Sequence, residues 1–189
     1  MPKATLDDGS LVPINDCYII IPIIKNRDIT QGQNEFKIIL DVLPDISDTK
    51  SASYSDENII GRSSPLKTYS QSDSRSITMQ LHFIVSKPAD VQGNLQKLRA
   101  IQSAVYPRDG FESAPFVPPP VCKIKCGNLL CSSGELCVVL KQYSVKFPTE
   151  VAWNENTFTP MKFDVDTTWD VVYASSSLPG QEKIFGLGK

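Results

Sequence analysis

The stretch MKFDVDTTWDVVY, residues 161–173, places Met161, Phe163, Val165, Thr167, Trp169, Val171 and Tyr173 on one side and Lys162, Asp164, Asp166, Thr168 and Asp170 on the other. Only an extended strand sends successive side chains to opposite faces, so this run has to form a strand with one dry and one wet side. RSITMQLHFIV at 75–85 repeats the pattern: Ile77, Met79, Leu81, Phe83 and Val85 face one way, and Thr78, Gln80 and His82 the other. Two such strands commit the chain to a sheet that needs a cover on one face.

Four weaker segments join them. YIIIPII (18–24) reads as a strand in which Pro22, lacking an N–H, belongs at an edge or a bulge. EFKIILDVL (35–43) sets Phe36, Ile38, Leu40 and Val42 on one face. VCKIKC (121–126) does the same with Cys122, Ile124 and Cys126, and LCVVLKQYSVKF (136–147) with Val139, Tyr143, Val145 and Phe147. One helix is expected, capped by Asp90 and ended by Pro107, with Val91, Leu95, Leu98, Gln102 and Val105 at helical spacing. Six strands and one helix predict a mainly β (α+β) fold: a predominantly antiparallel sheet or a closed or half-closed barrel, with a helix laid on it. The strands at 77–85 and 161–173 exceed the usual five or six residues, so part of their length is expected to project and meet neighbouring copies. Ile77, Met79, Leu81, Phe83, Phe163, Val165 and Trp169 are the side chains expected at that ring interface.

The remainder is loop-like. Residues 1–16 read as a leading arm, and five prolines between Pro107 and Pro120 suggest a stiff, extended approach to the next strand. Residues 44–74 are dominated by serine, and a structureless span of about 30 residues is well beyond ordinary loop length. Such a span is either disordered or ordered by something outside the domain. Tyr54, Ile59, Ile60, Leu66 and Tyr69 are the side chains a docking segment would carry. A length of 189 residues fits one domain, 1–189, with these two segments serving assembly.

The chemistry-bearing residues are few. A formal charge of −2 supplies no basic footprint for gripping nucleic acid. No signal-peptide layout stands near the start, and the most apolar run is too short to span a bilayer, so no membrane partner is expected. His82 is the one histidine, sits mid-strand on the polar side, and reads as a solvated or interface residue rather than a catalytic base. Asp164, Asp166 and Asp170 follow the strand's outer face rather than a catalytic constellation. CKIKCGNLLCSSGELC holds Cys122, Cys126, Cys131 and Cys137 at spacings of four, five and six, without the CxxC pairs that zinc ribbons favour. Three uses stay open for these thiols: ordinary buried residues, disulfides among themselves or with a neighbour, or ligands of zinc or an iron–sulfur cluster. Phosphate-binding loops, dinucleotide fingerprints and zinc-protease motifs do not occur in the sequence. Neither an enzyme nor a cofactor is expected, and a small metal- or cluster-binding β-domain is the alternative.

The order of the segments resembles a family. IIGRSSPLKTYSQSDSRSITMQLHFIV, LQKLRAIQSAVYPR, PPPVCKIKCGNLL with CVVLKQYSVKF, and MKFDVDTTWDVVY together resemble the baseplate hub and tube-initiator proteins of contractile-tailed phages. The pattern is a Gly-Arg and a Pro with a nearby Tyr, an Arg-led strand, a helix ending in Tyr-Pro, a Pro-led strand ending in Gly, and closing strands. It spans residues 59–173, about 115 of the 189. The resemblance implies a tail-tube-like split barrel with one helix and long loops, assembled as a hexameric ring that seeds or extends the inner tube. It also implies the tail tube protein and other hub and wedge proteins as partners, DNA only in transit, and residence in the virion baseplate after assembly in the host cytoplasm. Asp164, Asp166 and Asp170 would be lumen candidates, since an acidic face repels phosphate and lets DNA slide past. Several such proteins carry a C-terminal LysM module; no LysM-like continuation follows SLPGQEKIFGLGK, and the four-cysteine run is not part of the pattern.

Overall fold

The computed structural model describes residues 16–23, 34–111, 114–131, 134–155 and 158–173. The expected leading arm before Asp16 and the residues after Tyr173 lie outside them. In chain order the elements are β1 (Cys17–Ile23), β2 (Asn34–Ile39), β3 (Asp45–Thr49), β4 (Ala52–Glu57), β5 (Leu66–Ser72), β6 (Ser76–Ile84), α1 (Pro88–Ser103), β7 (Arg108–Phe111), β8 (Ala114–Val117), β9 (Cys122–Cys126), β10 (Leu136–Lys146), β11 (Trp153–Asn154), β12 (Thr159–Pro160) and β13 (Lys162–Val171). The described residues are mainly β with one helix, as the alternation demands.

Seven strands form one antiparallel sheet in the order β2-β1-β9-β10-β13-β6-β3. Its two edges, β2 and β3, are neighbours in sequence, joined only by residues 40–44. A flat sheet of seven strands would be about 29 Å wide, yet the chain from Ile39 to Asp45 spans at most about 21 Å. The sheet therefore curls until its edges approach each other. No ladder between β2 and β3 closes it among the described residues.

The concave side holds the core. β13 alternates at every position, with Phe163, Val165, Thr167, Trp169 and Val171 buried. Its register sets Phe163 opposite Phe83, Val165 opposite Leu81 and Trp169 opposite Ile77, so the two best-patterned strands lie side by side. Thr167 is polar but satisfied: its hydroxyl donates to the Met79 carbonyl (3.0 Å) and accepts from the Trp169 indole N–H (2.8 Å). Helix α1 covers this side with Val91, Asn94, Leu98 and Ile101, and Ala104 is buried just past its end. Asn94 and Ile101, rather than the expected Leu95 and Gln102, take the centre of the stripe, and Asn94 is satisfied by donating to the Ile84 carbonyl (3.2 Å).

Several expectations are corrected. Asp90 is not the residue that precedes the helix. It sits in the first turn and accepts the N–H groups of Ser86 (3.2 Å) and Lys87 (2.8 Å), so the helix begins at Pro88. β10 is not in one phase: Val138 and Leu140 are buried, then the register shifts between Leu140 and Gln142. Lys141 is the extra residue of a bulge, which turns Tyr143 and Val145 inward and Val139 outward. The proline-rich stretch forms the β7–β8 hairpin before the chain reaches β9. Pro22 lies in β1 beyond the residues paired to β9 and opposite Glu35 of β2. Finally, β6 and β13 do not project, because β13 is paired along its length and β6 with it.

Residues 44–74 are not structureless. β3 pairs antiparallel with β6 at the edge of the sheet, and β4 and β5 form a hairpin that continues the same ribbon outward.

Candidate assembly interface

Every residue from Ala52 to Ser72 is exposed. From its root to its turn the hairpin reaches about 25 Å at ordinary strand rise. The root is tied at several points. Asp73 donates its N–H to the Ser51 carbonyl (3.0 Å), and the Ser51 hydroxyl donates to Asp73 (2.6 Å). Arg75 forks onto Asp48 of β3 (Nε to Oδ1 2.9 Å) and reaches the Leu130 carbonyl (3.0 Å), clamping edge strand, ribbon and the β9–β10 connection together. The Asp48 hydrogen bonds raise the Arg75 pKa against the opposing effect of burial, so the clamp stays charged.

Along the arm, Tyr54 and Tyr69 are cross-strand partners with rings edge-on at 5.8 Å, next to the Lys67–Asp56 ion pair (3.0 Å). Ile59 and Ile60 form the tip beside Gly61, whose φ of 91° suits a residue without a Cβ, and the Arg62 N–H closes the turn on the Ile59 carbonyl. Tyr54, Ile59, Ile60, Leu66 and Tyr69 are all exposed, Ile60 entirely. The five side chains singled out for docking thus share one projecting ribbon.

The residues expected at a ring interface lie elsewhere. Ile77, Met79, Leu81, Phe83, Phe163, Val165 and Trp169 are at most 4% exposed and belong to one core cluster. They hold the fold together, and a neighbouring copy would have to meet the outer face, the edges or the arm instead.

The outer face is polar, and each aspartate of β13 has a basic side chain beside it. Asp164 sits 2.6 Å from His82 Nδ1, Asp166 3.3 Å from Lys146 and Asp170 3.5 Å from Lys141. Nε2 of His82 faces Asp45 at 3.8 Å, so both ring nitrogens look at carboxylates and His82 acts as a cross-strand pin. Lys123 lies between Glu35 and Glu135, and its pKa is raised first by Glu35. Lys125 pairs with Asp16 (2.6 Å), which raises its pKa, and the Lys37 ammonium stands 3.7 Å over the Tyr18 ring. Asp166 and Asp170 thus each face a lysine and Asp164 a hydrogen-bonded imidazole, so the row is not a bare acidic strip.

The four clustered thiols do not converge. Cys122 and Cys126 point inward from β9 about 13 Å apart along the strand. Cys137 is exposed on the strand beside them, opposite Lys123, whose side chain faces out. Cys122 and Cys126 on one face and Cys137 on the other do not form the single thiolate cage that zinc or a cluster needs. Among the described residues no group of three or more histidine, cysteine or acidic side chains could hold a metal.

Sequence reasoning missed an apolar cleft of about 320 Å³ between α1 and the β11–β12 hairpin, lined by Val91, Leu95, Phe147, Trp153, Phe158 and Phe163 among others. Phe158 is 82% exposed at its rim, with φ of 51°, a conformation uncommon for an aromatic residue. The only signal was the turn-prone composition of NENTFTP. Neither a scan against protein-family models nor a search of curated proteins finds a match to this chain.

Proposed function

We propose that this chain is a structural subunit of a contractile-tail phage baseplate. In this reading it forms a sixfold ring at the junction of tube and hub and seeds or extends the inner tube through which DNA passes. The arm at 52–72 carries the reading. A lone two-stranded hairpin is marginal in water, and this one buries nothing, so the surface that stabilises it belongs to another subunit. The curled antiparallel sheet with one packed helix agrees with the fold that the segment order implies, and so supports the same reading.

The role is structural rather than catalytic. The tube protein and the hub and wedge proteins are the partners, met in the host cytoplasm and retained in the virion. The paired row of Asp164, Asp166 and Asp170 remains the lumen candidate, with its action revised. A face on which Asp166 and Asp170 each meet a lysine and Asp164 a hydrogen-bonded imidazole repels a phosphate backbone less than three bare carboxylates would, which suits passage without contact specificity. Negative-stain microscopy of the protein, alone and mixed with its tube protein, tests the reading. Rings or stacked discs are expected, and a monodisperse monomer in both samples would overturn it.

A further inference from the structure

Cys17 and Cys126 stand apart from the other thiols. They are direct cross-strand partners at the start of β1 and the end of β9, both buried, with sulfur atoms 2.9 Å apart. The kind of pairing matters. The Gly127 N–H donates to the Asp16 carbonyl, whereas the Cys17 carbonyl turns to the other side and accepts from Leu40. The β1–β9 hydrogen bonds therefore flank the two cysteines instead of joining them. Such a non-hydrogen-bonded pair brings Cα atoms to about 4.5 Å with the side chains leaning together. That lies within the disulfide range of about 4.4–6.8 Å, so a bond can close without moving the backbone.

We propose that Cys17 and Cys126 form a redox site, oxidised by a small peroxide to a cross-strand disulfide that fastens the entry of β1 to the end of β9. The Cys17 thiolate attacks one oxygen of hydrogen peroxide; the O–O bond breaks, and the hydroxide released takes the proton that Cys17 gave up, forming water. Cys126 sulfur then attacks the sulfenic acid on Cys17; the S–S bond forms, the S–O bond breaks, and the Cys126 proton leaves with hydroxide as a second water. Two thiols lose two electrons, and one peroxide becomes two waters. The hydrogen bond between the sulfurs holds the second thiol within reach of the first; it lowers the Cys17 pKa against burial and Asp16, and raises that of Cys126 together with burial. With a sequence separation of 109, the link would constrain more than half of the unfolded chain.

Peptide mapping tests the site directly and does not depend on the assembly reading. The purified chain is treated with hydrogen peroxide, its remaining thiols are blocked with N-ethylmaleimide in denaturant, and tryptic peptides are analysed without reduction. The expected product joins peptide 4–25 to peptide 126–141, with fragmentation placing the bond at Cys126 rather than Cys131 or Cys137, and three of the five cysteines alkylated. The Cys126→Ser chain should lose the link and leave Cys17 outside any disulfide. Cys17 alkylated after oxidation, or joined to any cysteine other than Cys126, would overturn the proposal.

Discussion

The sheet and the arm are built from the same element, the antiparallel strand pair, and differ in what stands on each face. In β6 and β13 every second residue is buried, whereas β4 and β5 bury none. Burial of a large apolar side chain contributes roughly 1.5–3 kcal/mol, so the sheet is stabilised by its own core. The arm has only cross-strand pairs such as Tyr54–Tyr69, each contributing about 0.2–1 kcal/mol. A strand pair of serine, tyrosine and threonine can thus form with no buried face of its own.

The contrast can be broken most severely at the level of register. Deleting Thr168 moves Trp169 to the outer face and Asp170 into the core, and the chain should fail to fold, with loss of the cooperative thermal transition. Deleting Lys141 should cost only roughly 1 kcal/mol by urea denaturation, because the pairs on either side of the bulge stay in place. A collapse of both chains alike would show that Lys141 is not the extra residue. Next in size, Trp169→Ala is expected to lose roughly 3–5 kcal/mol in the same measurement. At the boundary of the two regions, Arg75→Ala should cost about 1–2 kcal/mol and speed hydrogen exchange in the arm before the sheet. Smallest of all, Lys67→Ala in the arm should stay within about 0.5 kcal/mol of the parent, since its ion pair is open to water. A destabilisation there as large as that of Arg75→Ala would mean that the arm is packed against the body.

What was legible in the sequence follows the same division. β6 and β13 announced themselves because a buried face imposes strict alternation. β3 did not, since DISDT carries a single apolar residue and owes its place to the ladder it makes with β6. The arm showed its exposed side chains but not its strands, because a ribbon with no buried face writes no period. The bulge at Lys141 was hidden in a run apolar enough to be read in one phase, and the error set Val139 on the wrong face. Residues placed at a ring interface proved to be core, since alternation reports which face is dry and not what dries it. Cys17 and Cys126 could not be matched at all, because their partnership arises from sheet order across 109 residues.

Hydrogen exchange of residues 52–72 at rising protein concentration tests most directly whether a second subunit completes the arm. At low concentration the arm amides should exchange far faster than those of β6 and β13, and on self-assembly they should slow by at least about tenfold while the sheet is unchanged. Arm amides already as protected as the sheet in a monomer, or equally fast at every concentration while rings form, would contradict it.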